Sequence, residues 1–118
     1  EISHSLFREA PTSPALDQKD VENVLASKNL KAEEKKPGIT ASQVYHSAKV
    51  PFAFDYADKD LDVAPGNAGD HGTHVTGIAA GNAGVAADVV GVAPQAQILA
   101  MKVFSCRPSA TWTTPGWS

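Results

Sequence analysis

The hydrophobic pattern changes at Val50, and this change limits the folds open to the chain. From Val50 to Tyr56 apolar residues alternate with other residues, a period typical of a half-buried strand with Pro51 at its start or on an edge. Residues 71–80 predict a helix that ends at Gly81-Asn82, and residues 97–104 (QILAMKVF) are typical of a buried parallel strand. Strand, helix and strand in this order predict an α/β fold with layered packing.

The first 48 residues are more polar and predict one helix and a short helical turn. Ser13 is the expected N-cap of the helix and Pro14 its first residue. We expect the helix to fade into Lys31–Lys36, which we interpret as a solvated face or loop, and to stop at Pro37-Gly38. Residues 40–45 predict the short helical turn. The apolar residues that recur at near-helical spacing are Leu16, Val21, Val24, Leu25 and Leu30.

Composition excludes several classes of function. A chain of 118 residues fits at most one domain, and its net charge of −3 gives no electrostatic basis for binding nucleic acid or an anionic membrane. No apolar run approaches the roughly 20 residues needed to cross a bilayer. The single cysteine, Cys106, excludes an internal disulfide framework and a zinc site of several thiolates. The chain opens at Glu1 without a leader, so we expect any targeting signal to be absent or upstream.

The segment Asp70-His-Gly-Thr-His-Val-Thr-Gly-Ile-Ala-Ala-Gly81 holds the candidate chemistry. A histidine in the first helical turn lies at the positive end of the helix dipole, which helps to keep its imidazole a neutral base. Gly72 leaves room for a substrate beside His71, and close packing is expected to require Gly77. We expect Val75, Ile78 and Ala79 to anchor the helix against the sheet. A rigid helix presenting one exposed imidazole suits general-base catalysis.

This motif resembles the histidine motif of the subtilisin family of serine peptidases. Residues 91–104 (GVAPQAQILAMKVF) resemble the turn and strand that follow it in that family, and residues 49–58 (KVPFAFDYAD) are similar to the lactocepin-like cell-envelope proteinase branch. The resemblance implies a partial three-layer α/β domain with a mostly parallel central sheet and His71 as the base of a catalytic triad. It also implies protein or peptide substrates and a secreted or cell-envelope location. Residues 2–7 resemble the stretch just after the family's aspartate. They imply that this aspartate lies before Glu1. The family's order of Asp, His and Ser implies that the nucleophilic serine lies after Ser118.

For other polar residues the sequence gives weaker support for a function. His74, three residues beyond His71, would form a two-histidine metal site or, as we favour, pack within the fold. Asp70 is expected to cap the helix. The acidic cluster Asp55, Asp58, Asp60 and Asp62 lacks EF-hand spacing, so surface solvation is favoured over calcium binding. No cofactor is evident, and calcium is implied by the family resemblance alone.

Two functions from different classes remain open. In the first, residues 1–104 are part of a peptidase catalytic domain, with 1–48 as a variable, insertion-like segment and 49–104 as its core. The other is a non-catalytic, truncated segment that binds a metal or partner weakly through His71 and His74. Residues 105–118, including Trp112 and Trp117, have no periodicity and are interpreted as a loop or a frameshifted tail. Without the aspartate and the serine, we expect the 118 residues alone to hydrolyse no peptide.

Overall fold

The computed structural model describes Ile2 and residues 4–64, 71–83 and 90–104. A 3-10 turn at Ser5–Phe7 opens the described chain, with His4 Nδ1 accepting a hydrogen bond from the amide of Leu6 at 3.1 Å. The helices and strands that follow in these ranges are α1 (Gln18–Ala26), α2 (Lys31–Lys35), α3 (Ala41–Val44), β1 (Phe52–Asp55), α4 (His71–Ala80) and β2 (Leu99–Lys102). None of the helices in these ranges is long and apolar enough to cross a bilayer.

Strands β1 and β2 pair in parallel, with Phe52 opposite Leu99 and Asp55 opposite Lys102. Helix α4 lies between the two strands in the chain, as parallel pairing requires of a crossover connection. The predicted order of strand, helix and strand and the parallel sheet are therefore confirmed. The described residues form a partial α/β fold.

The burial of the two strands differs from the prediction. All four residues of β1 are buried, whereas the alternating pattern predicted a strand exposed on one face. On β2, which was predicted to be buried, Leu99 and Met101 are about half exposed, at 48% and 51%. Helix α3 contacts β1 and α1 packs on α3, and the buried side chains of this region form one core with Phe52 and Phe54, which accounts for the burial of these two residues.

Helix α1 begins and ends at residues other than those predicted. Asp17, not Ser13, is the N-cap: its carboxylate accepts a hydrogen bond from the amide of Asp20 at 3.0 Å, and Asp20 reciprocates at 2.9 Å. This reciprocal pairing satisfies two amides, which a serine cap four residues earlier would not do. The helix ends at Ala26, and Lys28 adopts a left-handed conformation with φ of 58°.

The segment predicted as a solvated extension of α1 is a separate helix, α2. Its charged side chains Lys31 and Glu34 are exposed, as predicted, and pair at 3.2 Å, but Ala32 is completely buried.

The short helical turn predicted over residues 40–45 is confirmed as α3. Gln43 Oε1 accepts a hydrogen bond from the amide of Thr40 at 2.9 Å.

The hydrophobic core joins the N-terminal helices to the first strand. Phe54, which is completely buried, also contacts Tyr56 edge to face with 4.8 Å between ring centres. Buried side chains from the helices of the first half of the chain share one core cluster with β1. The buried members of the cluster are Val21, Ala32, Ile39, Ala41, Val44, Phe52 and Phe54.

Candidate active site

His71 is the first residue of α4 and is exposed, as the motif predicted. A Cβ placed on the neighbouring Gly72 would meet no atom of the described residues within 4 Å, so there is free space at Gly72 itself. A helix start carries unpaired amides and a partial positive charge, and His71 stands at this end of α4. An exposed, accessible ring on a ten-residue helix has the form that a general base requires.

The face by which α4 packs is not the predicted one. Val75 and Ile78 are 49% and 70% exposed, so they do not anchor the helix, and Ala79 is exposed as well. The buried residues of the helix are Gly77 and Ala80. A Cβ on Gly77 would lie 3.0 Å from a methyl carbon of Leu6, so α4 packs closely on Leu6 at Gly77 and a larger residue there would require Leu6 to shift. The small residues let the helix backbone approach its neighbours, and this leaves the branched side chains on the outer face.

The last turn of α4 is capped by a distant segment of the chain. The carbonyls that end a helix have no partner within it. Gly91 must approach closely to provide one: a Cβ there would lie 2.5 Å from the amide nitrogen of Gly81, a distance no real side chain tolerates. The amides of Gly91, Val92 and Ala93 donate to the carbonyls of Gly81, Ile78 and Ala79 at 2.7, 2.9 and 2.8 Å.

His74 borders an apolar groove next to α4. It was predicted to pack within the fold but is exposed, because it lies on the same helical face as Ile78. The groove has a volume of about 690 Å³, and its other lining residues are Leu6, Gly77, Ile78, Val90, Gly91 and Val92. Nowhere in the described ranges do three or more His, Cys, Asp or Glu side chains converge on a possible metal position.

The acidic cluster does not form one solvated surface, because Asp55 is 1% exposed. Its Oδ1 accepts hydrogen bonds from the amides of Ala57 and Asp58, both at 2.9 Å, and its Oδ2 lies 3.4 Å from Lys102 Nζ. The predicted surface role is therefore wrong for Asp55: the parallel register places a lysine opposite it. The carboxylates of Asp60 and Asp62 accept hydrogen bonds from amides two residues later, which shapes the loop after β1.

Lys49 is a buried residue that the sequence analysis missed. It is completely buried and donates from Nζ to the carbonyls of Pro94 and Ala96, at 2.7 and 2.6 Å. Burial lowers the pKa of its amine because desolvation penalises the charged form. The sequence feature that could have predicted this burial is the position of Lys49 directly before the apolar stretch that becomes β1.

Asp70, Cys106, Trp112 and Trp117 were also named from the sequence. These four residues lie outside the described residues.

The fold and the site together define an α/β unit in which a helix between parallel strands presents an accessible histidine. A family model described as the Subtilase family matches residues 20–116, which is most of the chain and includes most of the aperiodic tail. This chain belongs to the subtilase family. The predicted resemblance is therefore confirmed.

Several curated proteinases are similar to this chain over part of its length. The PII-type proteinase of Lacticaseibacillus paracasei is 47% identical over 74 residues, and that of Lactococcus lactis subsp. cremoris is 42% identical over 73. Each match covers 58% of this chain and 4% of the relative. Thermitase of Thermoactinomyces vulgaris is 37% identical over 76 residues, 64% of this chain and 26% of thermitase. This chain thus spans a small part of these relatives. No solved structure matches it significantly.

Proposed function

We propose that this chain is the histidine-bearing part of a serine endopeptidase that cleaves protein substrates. The observation that carries the proposal is the exposed imidazole of His71 at the start of α4, within a chain of the subtilase family. An aspartate and a serine outside this chain complete the catalytic triad. The family supports this assignment, since its relatives are named as proteinases.

In this proposal His71 acts first as a base and then as an acid. Its Nε2 takes the proton of the serine hydroxyl as the serine oxygen attacks the peptide carbonyl carbon. The aspartate accepts a hydrogen bond from Nδ1–H and stabilises the imidazolium. The same imidazolium then gives its proton to the leaving amine, so the ring returns to the neutral form. Gly72 places no side chain beside the ring.

The test uses the polypeptide that carries this chain together with its triad partners. We expect it to hydrolyse a chromogenic peptide and to be labelled on serine by a fluorophosphonate. Replacing the base, His71→Ala, should lower kcat by at least about 10³-fold. His46→Ala, at an exposed histidine outside the motif, is the matched control and should leave kcat unchanged.

Two outcomes would contradict the proposal. The first is a polypeptide that neither hydrolyses the peptide nor takes up the label, which would favour the non-catalytic alternative. The second is equal activity in the His71→Ala and His46→Ala variants.

We further propose an extracellular location, because the chain resembles cell-envelope proteinases. Cell fractionation tests this location, and activity found only in the cytosol would contradict it.

A further inference from the structure

Lys49 connects the start of β1 to the segment that follows the apolar groove. Its Nζ donates to the carbonyls of Pro94 and Ala96, and its own carbonyl accepts from the amide of Ile98 at 2.8 Å. Lysine is almost never fully buried unless its amine is paired. Here the pairing is with main-chain carbonyls of one short segment, so a single residue holds residues 94–98 against β1 at three points.

The same segment holds the end of α4. Residues 91–93 donate three amides to carbonyls in and just after its last turn, as described above. Pro94, whose carbonyl binds Lys49, follows these residues directly and also accepts from Asn82 Nδ2 at 3.4 Å. A continuous run of hydrogen bonds therefore leads from Lys49, through residues 91–96, to the helix that begins at His71.

We propose that Lys49 is a positioning residue for His71, acting through residues 91–96 and α4. The effect of Lys49 on catalysis rests on the proposed function, in which His71 is the catalytic base. A helix of ten residues is about 15 Å long, so a tilt of about 4° at its fixed end moves its first residue by about 1 Å. A misplacement of that size lowers the rate of an enzyme by as much as about 10²-fold.

The chemistry of the amine suits this role. Two carbonyls require two N–H donors, and both the ammonium and the neutral amine of a lysine supply them. Burial lowers the pKa of Lys49, but the two bonds do not depend on which form is present. An apolar residue of similar length would fill the space and lose both bonds, which makes Lys49→Met the informative change.

The kinetic test compares variants of the polypeptide that carries this chain and its triad partners. Titration of the active sites with a fluorophosphonate gives the concentration of active enzyme. Because kcat is calculated per active site, a smaller folded fraction does not change it. We expect Lys49→Met to lower kcat by about 10-fold or more with KM changed less than about twofold. Lys49→Arg, which keeps N–H donors, should recover part of this loss. Lys19→Met, at an exposed lysine, should leave kcat unchanged.

A second measurement does not need activity. Amide exchange at Val92 and Ala93 should be at least about 10-fold faster in Lys49→Met, while exchange at Asp55, whose amide bonds the carbonyl of Asp60, stays the same. The ring resonances of His71 should shift in Lys49→Met and not in Lys19→Met.

The outcomes separate the two proposals. Unchanged kcat per active site in Lys49→Met, or unchanged exchange at Val92 and Ala93, would overturn the positioning role. A parent polypeptide that takes up no fluorophosphonate would refute the proposed function instead. In that case the exchange rates and the His71 resonances still decide whether Lys49 holds α4.

Discussion

At the level of single residues, Asp55 and Lys102 show how a buried charge is stabilised in this chain. Lys102 is 13% exposed in its side chain, and its Nζ also donates to the carbonyl of Ala64 at 3.1 Å. Asp55 accepts two amides from the turn that follows it. Each charge therefore has both an opposite charge and further hydrogen bonds, the condition under which a buried ion pair is tolerated.

Breaking this pair should destabilise the fold far more than breaking an exposed one. Asp55→Asn removes the ion pair between the buried Asp55 carboxylate and the Lys102 ammonium, at an expected loss of about 3 kcal/mol in the free energy of unfolding. Glu34→Gln, which breaks the exposed pair with Lys31, should have no measurable effect. Urea denaturation of both variants makes the comparison. Equal midpoints for the two would show that the Asp55 pair is energetically unimportant.

At the level of secondary structure, α1 depends on a cap that titrates in acid. Asp17 accepts a hydrogen bond from the amide of Asp20, and this bond lowers the pKa of the Asp17 carboxyl below its ordinary value of 3.8. The folded state therefore binds this proton less readily than the unfolded state does. The contribution of the cap is complete above about pH 3.8 and is lost as the pH falls through the lowered pKa.

The variant Asp17→Asn tests this dependence because asparagine also caps helices but does not titrate. We expect the denaturant midpoint of the wild-type chain, relative to that of Asp17→Asn, to fall as the pH is lowered from about 5 to about 3. The difference between the two chains isolates Asp17 from other acid-sensitive groups. Parallel pH profiles would contradict the capping role.

At the level of the whole molecule, large apolar side chains remain on the surface of β2 and around the groove. Leu99 and Met101 are half exposed, and Val92 is 85% exposed. An exposed strand edge with apolar side chains is a site for association between chains. A polypeptide of these 118 residues is therefore expected to associate as its concentration rises.

Adding charge to this edge should reduce the association. The double variant Leu99→Lys/Met101→Lys is expected to scatter less light than the wild-type chain at equal concentration, because the two charges repel at the strand edge. Leu16→Lys/Val24→Lys adds the same charge at residues of similar exposure, 37% and 46%, near α1. If this control reduced scattering equally, net charge and not the β2 edge would be responsible.

Local sequence determined several elements and the family. The bounds of α4, the helical turn at residues 40–45 and the parallel order of strand, helix and strand follow from short-range periodicity and capping residues. The histidine motif is contiguous, so His71 was predicted as the candidate base without a structure. Each of these features depends on residues within about one or two helical turns of one another. A short stretch of sequence is therefore enough to predict it.

Only the tertiary structure decided which polar groups are buried and which apolar faces are exposed. Lys49 is buried because carbonyls 45 and 47 residues away accept its amine, and Asp55 because the strand register places Lys102 opposite it. Ile78 is exposed because α4 packs through Gly77 and Ala80 instead. In each case the deciding partner is distant in the chain, and local periodicity carries no information about which distant atoms will come within hydrogen-bond or van der Waals contact.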